Sequence, residues 1–67
     1  MAMLKVIEVL AESSKSWEDA VQVAVDKASR TVDHIRSVYI QEMEATVGDN
    51  NKIEKYRINA KISFILE

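Results

Sequence analysis

Four carboxylates of this 67-residue chain have the chemistry to bind a hard cation. Glu42 and Glu44 are two residues apart, and Asp33 and Asp49 lie on either side of them. Carboxylate oxygens are ligands that calcium prefers. Charges that alternate along a strand are also typical of a solvated face, and no EF-hand spacing is present. A calcium site would therefore have to be shared between copies of the chain, with its metal ligands unknown.

Two arginines are the other binding candidates, Arg36 and Arg57. Arg57 falls out of phase with the apolar residues of the last predicted strand, which places it on the face away from the core. It is expected either to contact a ligand or to form a salt bridge between subunits. The lone histidine, His34, is interpreted as a last-turn residue that favours the negative end of a helix. The only tryptophan, Trp17, lies on an apolar stripe and is assigned to the core.

Catalysis has little support in the residue types. The chain has no cysteine, one histidine and one glycine, which excludes a cysteine nucleophile and a glycine-rich phosphate loop. No Ser-His-acid spacing is evident. We therefore expect a protein that is not an enzyme.

Composition points to self-association. A chain of 67 residues is one domain (1–67) with a marginal core. Without cysteine it cannot use disulfides or thiolate metal sites, yet 48% of its residues are hydrophobic, so oligomerisation is the remaining way to stabilise it. A net charge of −2 argues against nucleic acid. The sequence has no apolar run of membrane length and no signal-peptide pattern, so a cytoplasmic protein that does not bind membranes is expected.

The clearest element is a helix that begins at Trp17. Ser16 precedes it as the N-cap, and Asp19 follows three residues later, close to a capping box. Neither glycine nor proline interrupts the pattern, so the helix is predicted to run to about Val32 or Asp33. The apolar residues recur at spacings of three and four: Trp17, Ala20, Val21, Ala24, Val25, Ala28 and Val32.

One predicted strand precedes this helix in the sequence and two follow it. Residues 3–10 are predicted to be a strand covered on both faces, followed by a polar connection over 11–15. A second strand spans 35–47 and a third spans 52–66. The segment 48–51 between them is the only strong turn signal, since glycine and asparagine tolerate positive φ.

Alternation assigns the side chains of the last two strands to faces. Val38 and Ile40 share one face of the second strand, opposite Ser37, Tyr39, Gln41 and Met43. In the third strand the apolar face is formed by Tyr56, Ile58, Ala60, Ile62, Phe64 and Leu66. The order β-α-β-β, with the last two strands as a hairpin, predicts an α+β fold in which one helix covers one face of a three-stranded sheet. The other face has no cover within the chain, so neighbouring copies are expected to cover it.

The whole chain from Lys5 to Glu67 resembles the dodecin family. The segments that carry the resemblance are KVIEVL, SWEDAVQVAVDKASRTV, IR and KYRINAKISFILE. The resemblance implies a three-stranded antiparallel sheet partly wrapped around the helix and a hollow homododecamer with cubic 23 symmetry. It also implies a small-molecule site, because flavin-binding members hold stacked pairs of flavins (riboflavin or FMN) at two-fold contacts.

Two positions depart from the flavin-binding pattern. The tryptophan that stacks on the flavin ring aligns with Ser37, and the glutamine that hydrogen-bonds the ring edge aligns with Arg57. Loss of the aromatic ring removes a stacking surface worth roughly 1 kcal/mol. Arginine carries only donors, so it cannot accept from the ring imide. Flavin binding in the usual mode is therefore expected to be weak or absent.

The pairing of IR with YRI is similar to a subset of dodecins described as calcium-associated. Some dodecins bind coenzyme A with an arginine near the C-terminal end, where this chain has Ile65. The resemblance thus predicts a non-enzymatic dodecameric shell that binds, stores or buffers small ligands. The alternative is a structural or calcium-binding assembly with no flavin function. The candidate cofactor-binding residues are Ser37, Arg57, Arg36, Tyr39 and Gln41.

Overall fold

The computed structural model describes residues 3–66 and contains four elements in the predicted order. These are β1 (Met3–Ser13), α1 (Trp17–Ala28), β2 (Ile35–Val47) and β3 (Ile53–Leu66). The strands form one antiparallel sheet in the order β1-β3-β2, and α1 packs on one face of it. The predicted α+β architecture is confirmed. Among residues 3–66, no helix is long and apolar enough to cross a membrane.

The helix begins as the capping pattern predicts. The Asp19 amide donates to Ser16 Oγ at 2.9 Å. The Asp19 carboxylate accepts a 2.6 Å hydrogen bond from the Ser13 hydroxyl. These contacts satisfy a backbone amide of the first turn and join the end of β1 to the start of α1.

The helix ends at Ala28, so the prediction that it reaches Val32 or Asp33 was wrong. Hydroxyl side chains near the end bond to backbone carbonyls: Ser29 Oγ donates to the carbonyl of Asp26 at 2.6 Å. The amides of residues 30 and 31 bond three residues back, which tightens the last turn. Val32 still packs against the core, which explains why it fits the apolar stripe.

Small helix residues and large strand residues form the core. Ala20, Ala24 and Ala28 of α1 are buried against β3, where Ile58 and Ile62 are fully buried. The predicted apolar face of β3 is thus confirmed along its buried part. A 12-residue helix is about 18 Å long, whereas the chain extends over 52 Å. The helix therefore covers only part of one sheet face.

β1 is longer than predicted, and one of its two faces is exposed. It continues through residues 11–13, which pair with 56–58 of β3 instead of forming a connection. Only one of its faces meets α1. Leu4, Val6 and Leu10 on the other face are exposed, so the expectation of cover on both faces was wrong for the single chain.

Two irregularities in β2 change its alternation. Arg36 and Gln41 have no partner in the pairing with β3, because the register shifts at both positions. After the second shift Met43 pairs with Ile58, which places it on the helix side of the sheet. The prediction that Met43 shares a face with Ser37 and Tyr39 was wrong for this reason.

Positive φ occurs at His34 and Asn51 among the described residues, and not at Gly48. Asn51 supports the predicted turn between β2 and β3. His34 lies six residues beyond the end of α1, so it is not a last-turn residue. Its carbonyl accepts from the amide of Ile65 at 3.1 Å, which joins the entry of β2 to the end of β3.

Candidate functional site on the open sheet face

The sheet face opposite α1 is uncovered in the chain, and we call it the open face. The pairing register assigns to it the residues that alternate with the core residues of β3, together with their partners on both edge strands. Leu10 of β1 and Tyr39 of β2 are 80% and 65% exposed there. The open face thus combines apolar side chains with charged residues from all three strands.

Arg57 of β3 lies at the centre of an ionic cluster on the open face. Its Nε donates to Glu12 Oε1 of β1 at 2.5 Å, and its Nη1 lies 3.5 Å from Glu44 Oε1 of β2. Lys55 Nζ is 3.4 Å from the second oxygen of Glu12. The guanidinium therefore connects all three strands, as the register requires, because residue 57 pairs with both 12 and 44.

Electrostatics within the cluster favour its charged form. The hydrogen bond from Arg57 lowers the pKa of Glu12, and the charge of Lys55 adds to this effect. The same hydrogen bond raises the pKa of Arg57. The carboxylates that pair with Arg57 belong to the same chain, whereas the sequence predicted a ligand contact or a salt bridge between subunits. Glu12 was missed because it lies 45 residues before Arg57 in the sequence.

Two clefts flank Arg57 on the open face. The larger, about 440 Å³, lies toward β1 and is lined by Leu10, Glu12 and Glu44 among others. The smaller, about 120 Å³, is lined by Glu42, Glu44 and Asn59 among others. Asn59 Oδ1 is buried and has no hydrogen-bond partner. A buried acceptor without a donor is costly, so this oxygen is a candidate contact for a ligand or a second chain.

Ser37 is the other central candidate, and it lies far from Arg57 in the same chain. It pairs with Ser63, and the two hydroxyl oxygens are 2.5 Å apart. Residues 57 and 63 are six positions apart on β3, which corresponds to about 20 Å along an extended strand. Ser37 and Arg57 share the open face but do not line one pocket within a single chain.

The remaining predicted site residues are distributed along β2. Tyr39 pairs with Lys61 and shares the open face with Ser37. Arg36 and Gln41 are the exposed residues at the two register shifts. Both are close to Ser37 and Tyr39 in the sequence. Among the described hydrogen bonds and ion pairs, none joins Arg36, Tyr39 or Gln41 to the Arg57 cluster.

The carboxylates proposed for a cation do not converge in one chain. Within the part of the chain that the structure describes, no group of three or more histidine, aspartate or glutamate residues is placed to hold a metal ion. Asp33 and Asp49 lie beyond opposite ends of β2, so they cannot join Glu42 and Glu44.

Trp17 belongs to the packing around the core, as predicted. Its ring contacts Tyr56 edge-on, with centroids 4.8 Å apart and planes at 75°. Its Nε1 donates to the carbonyl of Glu44 at 2.9 Å. Trp17 therefore fixes the backbone of β2 behind the carboxylate that faces Arg57.

Comparison with known proteins gives consistent results. A family model described as Dodecin matches residues 3–67. A protein named Calcium dodecin from Mycobacterium tuberculosis is 39% identical over 64 residues, which is 96% of this chain and 89% of that protein. A Dodecin from Thermus thermophilus is 27% identical over 63 residues, which is 94% and 90% of the two chains.

Solved structures agree with the fold described above. A crystal structure of a Thermus thermophilus protein superposes with a TM-score of 0.92 at 25% identity, covering 100% of this chain and 97% of that one. The crystal structure of the Mycobacterium tuberculosis calcium dodecin, described as having a novel calcium-binding site, gives a TM-score of 0.83 at 37% identity. It covers 97% of this chain and 91% of that one.

Proposed function

This chain belongs to the dodecin family, and on that basis we propose that it forms a hollow homododecamer that binds, stores or buffers a small ligand. Dodecins are small-ligand-binding proteins that assemble as homododecamers. The observation that carries the proposal for this chain is the open face, where the Arg57 cluster and its two clefts lie between exposed apolar side chains. We further propose that no reaction is catalysed there.

The shape of the single chain supports assembly. A compact chain of 67 residues has a radius of gyration of about 11 Å, whereas this one measures 13.8 Å. A compact chain of 7.6 kDa exposes about 4300 Å², whereas this one exposes 5143 Å². The excess in exposed area is about the area that one partner contributes to a standard interface. The chain is therefore suited to bury further surface against its own copies.

The altered residues define what the ligand site favours. Ser37 offers no aromatic surface for stacking, and its hydroxyl already pairs with that of Ser63. The donors of Arg57 are directed to Glu12 and Glu44. A flavin bound in the usual family mode would lack its stacking platform and would have to displace these ion pairs. We therefore propose that riboflavin and FMN bind weakly or not at all.

Calcium is the second candidate ligand. It is supported by the name of the Mycobacterium tuberculosis relative and by the oxygen donors at the smaller cleft. Glu42, Glu44 and the unpartnered Asn59 Oδ1 are all of the kind that calcium uses. Three such residues fall short of the six to eight oxygens that calcium takes, so a second copy or water would supply the rest. The positive charge of nearby Arg57 disfavours a bound cation, unless the carboxylates that pair with Arg57 also coordinate that cation.

One set of measurements on the purified protein tests these proposals. Light scattering should give a particle of about 90 kDa, since twelve chains of 7.6 kDa form a closed shell. A stable folded monomer or dimer at micromolar concentration would refute the assembly. Riboflavin fluorescence and calcium calorimetry then separate the ligands. Nanomolar quenching of riboflavin would overturn the altered flavin site, and calcium binding that Glu42→Gln leaves unchanged would exclude the smaller cleft.

A further inference from the structure

An apolar groove lies between α1 and the edge strand β1, and we call it the helix groove. Its volume is about 440 Å³, within the range of about 300–1,000 Å³ that is typical of small-ligand sites. Leu10 and Glu12, which belong to the open face, border it at the edge of β1. Its apolar lining comes from both elements: Ile7, Val9 and Ala11 of β1, and Val23, Ala24 and Ala28 of α1.

The helix groove leaves apolar surface in contact with water. Ala24 and Ala28 of α1 are buried in it, but Val9 and Val23, one from each element, are only half-buried. β1 is an edge strand, so no further strand of the chain covers its outer side. An alkyl chain in the groove would remove this surface from water, which is favourable.

The charged residues of the helix groove lie at its two ends. Only residues 14–16 separate β1 from α1, so the helix runs back along the strand. Lys27 and Thr31 therefore lie at the end near the last turn of α1, and Glu12 lies at the other end. The carboxylate of Glu12 is already paired with Arg57 on the open face. Lys27 is thus the charged residue of the groove that remains to pair with a ligand.

The ammonium group of Lys27 has no partner within the chain. None of the hydrogen bonds and ion pairs described for residues 3–66 includes it. It is not needed to cap the helix either, because the carbonyls of residues 25–28 all accept hydrogen bonds from residues 29–32. These bonds also weaken the negative end of the helix dipole, which arises from unsatisfied carbonyls. An anion can therefore pair with Lys27 at this end of the groove.

We propose that the helix groove binds a straight-chain monocarboxylate of medium length. Its carboxylate pairs with Lys27, and its alkyl chain lies between Val9 and Val23. The lining strand segment, residues 7–12, spans about 17 Å, which gives room for an extended chain. A dicarboxylate fits less well, because its second charge would lie among apolar residues and near Glu12. This site is additional to the ligand sites proposed on the open face.

Calorimetry on the assembled wild-type protein tests the ligand class. Hexanoate, octanoate and decanoate form the series, with octan-1-ol as the uncharged analogue and the eight-carbon dicarboxylate suberate as the doubly charged one. We expect affinity to rise about fourfold for each methylene group that is buried. Octanoate should bind several-fold more tightly than octan-1-ol or suberate. A wild-type protein that binds no octanoate would overturn the proposal, and this is the result expected if a second copy of the chain fills the groove.

Two variants test the position of the ligand. Lys27→Met keeps the apolar stem and removes the ammonium group, so it should weaken octanoate binding about fivefold and leave octan-1-ol binding unchanged. Val23→Phe fills the groove and should weaken the binding of both. Lys15→Met is the matched control, because Lys15 is an exposed lysine outside the groove, and it should change neither. Circular dichroism and light scattering confirm that each variant keeps its fold and its particle mass.

Arg57→Gln separates this site from the open face, where Arg57 would be the partner of a bound carboxylate. It should leave octanoate affinity unchanged. If Arg57→Gln weakens octanoate binding while Lys27→Met or Val23→Phe does not, the ligand lies on the open face and the proposal is wrong. A wild-type protein that is not a dodecamer, but binds octanoate with the expected dependence on Lys27 and Val23, would refute the assembly and support this site. The two failures are therefore distinguishable.

Discussion

The Nε atom of Arg57 donates to Glu12 Oε1 at 2.5 Å, across the boundary between β3 and β1. The two residues are 45 positions apart in the sequence, and they meet because the antiparallel register pairs residue 12 with residue 57. The contact fixes the guanidinium on the open face, where it separates the two clefts. The ligand binding proposed for these clefts therefore predicts a dependence on this ion pair.

The Glu12–Arg57 pair predicts a pH-dependent stability. Because the pKa of Glu12 is lowered in the folded chain, its contribution is present above the usual value of 4.5 and is lost as the pH falls below it. Glu12→Gln should therefore lower the melting temperature slightly at pH 7, and this difference should shrink as the pH falls and wild-type Glu12 becomes protonated. Thermal melts from pH 3 to 7 at one chain concentration measure this.

Glu8→Gln is the matched control for that series, since Glu8 is an exposed residue on the same face of β1. It should not reproduce the pH-dependent difference. A Glu12→Gln difference that stays constant from pH 3 to 7 would contradict an ionic origin.

Restoring the family residues should restore some flavin binding. We expect the unmodified protein to bind riboflavin at least tenfold more weakly than a dodecin that carries the tryptophan and the glutamine, a factor worth about 1.4 kcal/mol. The double change Ser37→Trp with Arg57→Gln should recover part of it by adding a stacking surface and an acceptor. Quenching of riboflavin fluorescence measures the affinity.

Ser14→Trp is the control for this pair of changes, because it adds the same ring to the exposed segment before α1. It should leave flavin affinity unchanged. If the double variant binds no better than this control, two-fold copies of the open face do not bring Ser37 and Arg57 to a common pocket.

Trp17→Phe should destabilise the fold by about 1 kcal/mol, the usual contribution of one hydrogen bond. The phenyl ring can keep the edge contact with Tyr56 but cannot donate to the carbonyl of Glu44. Denaturant unfolding at fixed chain concentration measures the loss. Tyr56→Phe is the control, since it keeps the ring of the same pair, and it should cost less. Equal losses for the two variants would show that the hydrogen bond contributes nothing.

Ser16→Ala should also cost about 1 kcal/mol, because it removes the N-cap acceptor for the Asp19 amide. Ser14→Ala, two residues earlier and exposed, should be nearly neutral. Helical circular dichroism during unfolding reports both. A neutral Ser16→Ala variant would mean that water or Ser13 replaces the cap.

Local chemistry was enough to predict several features from the sequence. Ser16 and Asp19 located the start of the helix, because capping depends only on residues three positions apart. The alternation of β3 assigned Arg57 to the face opposite Ile58 and Ile62, because side chains alternate strictly along an unbroken strand. The resemblance to dodecins supplied the assembly, which no local pattern contains.

Other features depend on contacts between distant segments, and only the tertiary structure decided them. The register shift at Gln41 moved Met43 to the helix side, because a bulge reverses alternation without a clear signal in the sequence. Pairing with β3 extended β1 and brought Glu12 to Arg57. The separation of Ser37 from that cluster follows from the same register, since the strand pairing sets distances along a sheet that composition and periodicity cannot.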